Sequence, residues 1–288
     1  MPLTSLPLVS KLSNKVIRIL GCNPGVMTLQ GTNTYLVGTG TSRILIDTGD
    51  HHTSPEYTKL LKSVLDEEKT TISHLLITHW HHDHIGGAKS VQELIKSSSN
   101  PVPLVWKLPR SPGDQHPEEY DVEVNPLKDE QSFEVDGARL TVKHTPGHTT
   151  DHACLVLQED NVLFSGDCIL GETTAVFEDL KDYLASLDKI LRLGNSVIYP
   201  GHGPVVEDPA PKILYYIEHR RKREEAIIQV LRDQGKPLDE LAIVSIIYQD
   251  TPEDLWPAAA VNVGHHLEKL LKEEKVIREG DGSWVIRS

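Results

Sequence analysis

Five side chains able to bind a metal, four of them candidate ligands, fall within six residues in Thr78-His79-Trp80-His81-His82-Asp83-His84-Ile85-Gly86-Gly87. The run His74–Thr78 ahead of them reads as a buried strand, and a helical pattern follows. In the turn between strand and helix, His79, His81, Asp83 and His84 can project toward a common point, with Gly86 and Gly87 permitting the sharp exit. A lone histidine is ordinarily structural. Four imidazole and carboxylate donors so close together point instead to zinc or a similar first-row ion.

Strand patterns surround this motif at Val16–Leu20, Thr34–Val37, Ile44–Ile46, Leu104–Trp106, Arg139–His144, Ala153–Leu157, Val162–Ser165 and Ser196–Tyr199. Ser54 to Glu68 reads as a helix: Ser54 is a natural N-cap, Pro55 suits the first turn, and Tyr57, Leu60, Leu61, Val64 and Leu65 share a face. Leu180, Tyr183, Leu184, Leu187, Ile190 and Leu191 form a second such stripe. Lys107 to Pro126 lacks periodicity and reads as a long surface loop. After Gly203 the pattern turns helical: Lys212 to about Arg232, Leu238–Tyr248, and about Ala258 to Glu273. Val276–Arg278, a Gly280-Asp281-Gly282 turn and Trp284–Ile286 then read as a hairpin. Helices closed by a hairpin match a winged-helix module, which places a boundary between 1–210 and 211–288. No internal repeat or low-complexity tract is present.

Hydrophobic residues are 38% and charged residues 25% of the chain, the balance of a globular protein. No apolar stretch approaches the roughly 18 residues of a membrane span, so no membrane partner is expected. The formal charge of −13 gives no overall attraction to a polyanion. Any nucleic acid must be held by local basic groups and bound metal. Cys22, Cys154 and Cys168 are odd in number and unpaired in spacing, which suits a reducing compartment. No acidic residue precedes Asp47, whereas Lys11, Lys15, Arg18 and Arg43 do. That matches the acid-poor habit of mitochondrial presequences, but Val16–Leu20 already reads as a strand, so the preferred reading is that the segment simply supplies the first strands.

Three further islands lie at strand ends beside Gly or Pro: Thr145-Pro146-Gly147-His148-Thr149, Ser165-Gly166-Asp167-Cys168 and Tyr199-Pro200-Gly201-His202-Gly203. Each alone could be a surface turn. In this order, after the first motif, they are specific, and residues 15 to 205 resemble the metallo-β-lactamase superfamily. The resemblance implies an α+β fold, a four-layer αββα sandwich with two metal sites along one sheet edge. It implies that His79, His81 and His148 hold one zinc ion, that Asp83, His84 and His202 hold a second, and that Asp167 and a hydroxide bridge them. True lactamases carry a cysteine where Asp167 stands and lack the partner of His84; glyoxalase II and RNA-processing nucleases resemble this chain better. Gly31-Thr-Asn-Thr-Tyr35, Lys107-Leu-Pro-Arg110, Gly166-Asp-Cys-Ile-Leu-Gly-Glu172 and Val176-Phe-Glu-Asp-Leu180 extend the resemblance to an animal branch of β-lactamase-like proteins. That branch implies a zinc-dependent endoribonuclease of the mitochondrial matrix acting on single-stranded RNA. Fungal polyketide thioesterases share the first motif and Phe-Glu-Asp-Leu, so thioester hydrolysis is the alternative.

Two zinc ions would lower the pKa of a shared water and polarise the bond under attack. Set against Asp83 and Asp167, they leave a positive centre in an acidic protein. Asp83 is also the candidate to orient the attacking hydroxide. His82 reads as outward-facing, His152 as a partner of the ligands or a core residue, and Cys168 as a buried filler. Asp47 reads as an acceptor bracing the metal loop, and His51 and His52 as solvated. Lys107, Arg110, Arg220, Arg221 and Arg223 are the candidate phosphate contacts. The run His219-Arg-Arg-Lys-Arg223 also reads as a solvated helix face paired with Glu218, Glu224 and Glu225. From Lys212 onward 12 Lys and Arg face 14 Asp and Glu, a balance of −2. No sequence-specific DNA binding is expected of such a module, which could instead roof the active site. A third reading, a winged-helix binding protein with a vestigial hydrolase half, is opposed by the intact ligand set. A monomer is expected.

Overall fold

The computed structural model describes residues 3–111, 120–249, 252–280 and 282–287. Its first sheet runs in chain order through β1 (Val9–Lys11), β2 (Val16–Leu20), β3 (Asn33–Val37), β4 (Ser42–Ile46), β5 (Thr71–Leu76), β6 (Leu104–Lys107) and β7 (Val124–Pro126). Pairing is antiparallel up to β4 and parallel from β4 to β7. The second sheet contains β8 (Ser132–Val135), β9 (Ala138–His144), β10 (Ala153–Leu157), β11 (Val162–Gly166) and β12 (Val197–Pro200). Only its β11–β12 pair is parallel.

The strands are apolar on both faces because both faces are covered. Tyr35, Val37, Ile44 and Ile46 point inward to Leu140, Val142, Leu155 and Phe164 of the other sheet. Their neighbours Leu36 and Leu45 point outward to α1 (Ser54–Glu68) and, beyond the single-turn α2 (His82–Ile85), to α3 (Ala88–Ser97). On the far side, Leu163 and Ile198 pack under α4 (Leu180–Leu193) and the first half of α5 (Pro209–Gln234). The layers are therefore helix, sheet, sheet, helix.

The second half of α5 enters another core. Ile227 and Leu231 meet α6 (Glu240–Ile247), α7 (Trp256–Lys272) and the hairpin β13 (Val276–Arg278) and β14 (Trp284–Ile286). Leu238 bridges to Trp284 and completes the wing. One helix thus serves two cores. Asp281, the middle of the expected hairpin turn, lies outside the described residues.

Three strands have no counterpart in the sequence reading: β1, β7 and β8. All three are edge strands. Short, polar or proline-bearing segments suffice there because one side needs no ladder partner. The supposed loop Lys107–Pro126 accordingly begins in β6 and ends in β7; residues 112–119 within it lie outside the described residues. Ser54 is the first residue of α1 rather than its cap, and its hydroxyl donates to the His51 carbonyl. Thr53 occupies the cap position, but its hydroxyl donates to the carbonyl of Gly21, 2.7 Å away, tying this turn to the end of β2.

Candidate metal centre

The expected strand His74–Thr78 ends its ladder at Leu76, and a side chain then takes over the pairing. Asp47, just past β4 and in the left-handed region (φ 58°), accepts from the Thr78 N–H at 2.8 Å and the Thr78 hydroxyl at 2.9 Å. The chain then turns through His79–His81 into α2. Gly86 and Gly87 do not supply unusual dihedrals; their φ values are −61° and −83°. They are needed for close approach. A Cβ on Gly86 would stand 2.3 Å from the His82 carbonyl oxygen, and one on Gly87 would stand 2.1 Å from that of Thr48.

The remaining donors arrive from the ends of β9, β11 and β12. Ligand-type atoms of His79, His81, His148 and Asp167 lie within 4.8 Å of one another, and so do those of Asp83, His84 and His202. In the first group His79 Nε2 is 2.9 Å from His81 Nδ1, and His148 Nε2 is 3.2 and 3.1 Å from those atoms. In the second, His84 Nε2 and His202 Nε2 are 3.3 Å apart. Asp83 Oδ2 lies 3.3 Å from His84 Nε2 and 3.2 Å from His202 Nε2. Asp167 spans the groups: Oδ2 is 3.3 Å from His202 Nε2 and 3.7 Å from His148 Nε2, and Oδ1 is 3.4 Å from His84 Nε2. All seven sequence-predicted residues are brought together.

Partners on the far side of three rings, those of His79, His84 and His148, fix which nitrogen faces the site. The Val176 carbonyl, 2.8 Å from His148 Nδ1, can only accept, so Nδ1 carries the hydrogen and Nε2 is bare. Asp47 Oδ2 likewise takes the Nδ1 hydrogen of His84 at 2.7 Å, which turns Nε2 toward the site. Thr78, whose hydroxyl proton goes to Asp47, accepts from His79 Nδ1 at 3.0 Å. The bare nitrogens of His79 and His148 therefore face each other inside a buried site, a repulsive arrangement that a cation relieves. Ligands about 2.0–2.1 Å from a tetrahedral ion stand about 3.3 Å apart, close to the spacings here. Asp167 Oδ1 is buried and has no hydrogen-bond partner among the described residues, which again suits a cation. The donors fit metal ions.

Burial pushes His79 well below the ordinary imidazole range, His81 down to about 3 and His148 to about 4. Burial acts the same way on His84 and His202, but Asp83 and Asp167 outweigh it: His84 is raised well above its usual value and His202 to about 9. Burial likewise opposes ionisation of Asp83 and Asp167, yet the facing His84 and His202 hold both well below the carboxylate range. Without metal His79, His81 and His148 are thus neutral, while His84 and His202 form a protonated network with Asp83 and Asp167.

A family model described as the metallo-beta-lactamase superfamily matches residues 27–202. The chain belongs to the metallo-β-lactamase superfamily. A beta-lactamase associated winged helix domain matches residues 240–284. The chain is 51% identical over 276 residues to the beta-lactamase-like protein 2 homolog of Drosophila melanogaster, covering 94% of this chain and 92% of that one. To the homolog of Caenorhabditis elegans it is 46% identical, covering 94% and 89%. A lactamase-like protein of Aspergillus fumigatus is 45% identical over 80% of this chain and 65% of its own. A solved beta-lactamase domain protein from Burkholderia ambifaria superposes with TM-score 0.79 at 18% identity, covering 98% and 95%, which bears on the fold alone. Membership of this hydrolase superfamily, the sandwich and the winged helix are therefore established at family level, and the seven donors are its candidate metal ligands.

Several site residues carried no functional role in the sequence reading. Thr32, Asn33 and Tyr35 of the Gly31–Tyr35 motif brace the centre. The Thr32 hydroxyl donates to Asp83 Oδ2 at 2.9 Å. Asn33 Nδ2 donates to the carbonyls of Pro200 and Gly203, and the Tyr35 hydroxyl to that of Pro200, holding the His202 loop. His152 accepts from the Asp167 N–H at 3.1 Å and is no ligand. His82, His51 and His52 are exposed, and Cys168 is buried in an apolar cluster.

Most of the proposed phosphate contacts are engaged elsewhere. Lys107 is buried against Asp151 at 2.7 Å, and Asp151 also accepts from Thr149, so the pair steadies the His148 loop. Arg220 is buried and donates to the Ala175 carbonyl. Arg110 lies 4.4 Å over the Trp80 ring and 3.9 Å from Glu178. Arg223 covers the Tyr248 ring, whereas Arg221 is exposed.

Proposed function

We propose that this chain is a zinc-dependent endoribonuclease that cleaves single-stranded RNA. The observation that carries the reading is Asp167, one carboxylate shared by two donor groups, which fits a pair of ions rather than a single one. When bound, two such ions lower the pKa of a shared water and gather positive charge where a phosphodiester transition state becomes negative. Asp83 is the residue that orients the attacking water. Its side chain keeps some exposure to solvent while Thr32 fixes one oxygen. His81 and Asp83 alone among the seven donors keep partial exposure, a narrow approach that suits an unpaired strand, whereas stiff A-form duplex must first be pried apart. Because Lys107 and Arg220 are buried, few side-chain phosphate contacts remain, and the salt dependence of binding should be shallow. On the same reading the protein works as a monomer in the mitochondrial matrix, which fractionation and light scattering would check.

One feature favours thioester hydrolysis instead. Val26, Met27 and Val176 are 95%, 65% and 55% exposed; Val26 and Met27 sit on the loop that ends in Thr32, and Val176 anchors His148. Such apolar lips would suit an acyl group. The zinc-loaded protein should be offered labelled single-stranded RNA, duplex RNA, single-stranded DNA and S-lactoylglutathione in parallel, with His81→Ala as control. The nuclease reading expects single-stranded RNA to be cut by the parent protein and not by the variant. Robust thioester turnover beside no RNA cleavage would overturn it.

A further inference from the structure

The segment from Gly171 to Asp179 lies between the metal centre and the C-terminal module, and both sides hold it. On the metal side the Val176 carbonyl takes the Nδ1 hydrogen of His148 at 2.8 Å, and the Glu178 and Asp179 N–H groups donate to the Gly147 carbonyl. On the module side, Lys212 donates to the Gly171 carbonyl at 3.3 Å and the Tyr216 hydroxyl to that of Thr173 at 2.9 Å. Arg220 donates to the Ala175 carbonyl at 3.0 Å and lies 4.9 Å over the Phe177 ring. Further along, His265 of α7 meets Phe177 edge-on at 5.4 Å, and Lys272 pairs with Asp179.

Arg220 thus grips both neighbours of Val176, the residue whose carbonyl sets the His148 ring. Its guanidinium is buried and its contacts are directed at backbone and ring rather than at solvent. A surface cation available to substrate would not be arranged this way.

We infer that Arg220 is a positioning residue of the metal centre: through Ala175, Val176 and Phe177 it holds His148 in the tautomer and orientation the first ion requires. The helix α5, which joins the two cores, is then part of the support of the metal site. This rests on the metal reading of the seven donors and is independent of the substrate. Loss of a hydrogen-bonded partner behind a ligand typically costs about 10–100-fold in metal affinity.

The test uses the full chain, zinc alone as probe and a competing chromogenic chelator. Arg220→Met should weaken the zinc affinity of the His148 site by about 10-fold, the low end of that range because the Val176 carbonyl itself remains, and leave the other within about twofold. The Nδ1 proton resonance of His148, sheltered by the Val176 carbonyl, should shift or broaden in the same variant. Arg220→Lys keeps the charge but loses the planar stack, and should fall between. It also carries the test should Arg220→Met not fold. A lowered melting temperature with both zinc affinities and the His148 resonance unchanged would make Arg220 merely structural and overturn the proposal. If His148→Ala bound as much zinc as the parent chain, the metal reading itself would have failed, a result distinct from failure of the clamp.

Discussion

Replacing Asp47 by Asn probes the hydrogen-bond frame with little change of shape. Asn tolerates the left-handed backbone at φ 58°, so the fold should survive. The carboxylate takes three donors, Thr78 N–H, the Thr78 hydroxyl and His84 Nδ1–H, at 2.8, 2.9 and 2.7 Å. An amide can still accept from the Thr78 N–H, but it presents its own hydrogens toward the other two. Thr78 can rotate its hydroxyl. His84 can adapt only by moving its hydrogen to Nε2, the atom 3.3 Å from His202 Nε2 that must stay bare for a metal. The ion held by Asp83, His84 and His202 should therefore bind about 10–100-fold more weakly, which is about 1.4–2.7 kcal/mol. The ion at His79, His81 and His148 should lose less, because Thr78 can still accept from His79. Competition titration with zinc resolves the two affinities. Unchanged affinity for both ions, or preferential loss of the first, would refute the tautomer reasoning.

Two more outcomes follow from charge and packing. In the metal-free protein His202 sits near 9 against about 6.5 unfolded. The native state then binds more protons between those pH values, and stability should fall as pH rises from about 6.5 to 9; denaturation midpoints across that window check it, and an opposite slope would contradict it. Trp284→Ala empties the module core, where the ring is buried and its Nε1 donates to Glu240 at 2.9 Å. A loss of about 3–5 kcal/mol is expected, measured by chemical denaturation, with the second-site zinc affinity retained.

The metal ligands were legible because chemistry concentrates them: His79, His81, Asp83 and His84 are too dense to be accidental, and His148, Asp167 and His202 each follow a buried strand. The wing was legible because Val276–Arg278 and Trp284–Ile286 flank glycines. The edge strands were not, since Val9–Lys11, Val124–Pro126 and Ser132–Val135 carry no apolar run and take their conformation from a neighbour. Charge misled most. Lys107 and Arg220 look like surface cations in sequence, yet Asp151 and the Ala175 carbonyl, distant along the chain, draw them inside. Nor did local pattern assign roles to Thr32 and Asn33, which act only once β3 is laid beside the Asp83 and His202 loops.

The most direct test of a shared two-ion centre is zinc stoichiometry by native mass spectrometry, on the parent chain and on His148→Ala, His202→Ala and Asp167→Ala. Two ions should bind the parent chain and one should remain in each histidine variant. Both should be weakened when Asp167 is removed. A parent chain that holds one ion, or histidine variants that still hold two, would contradict it.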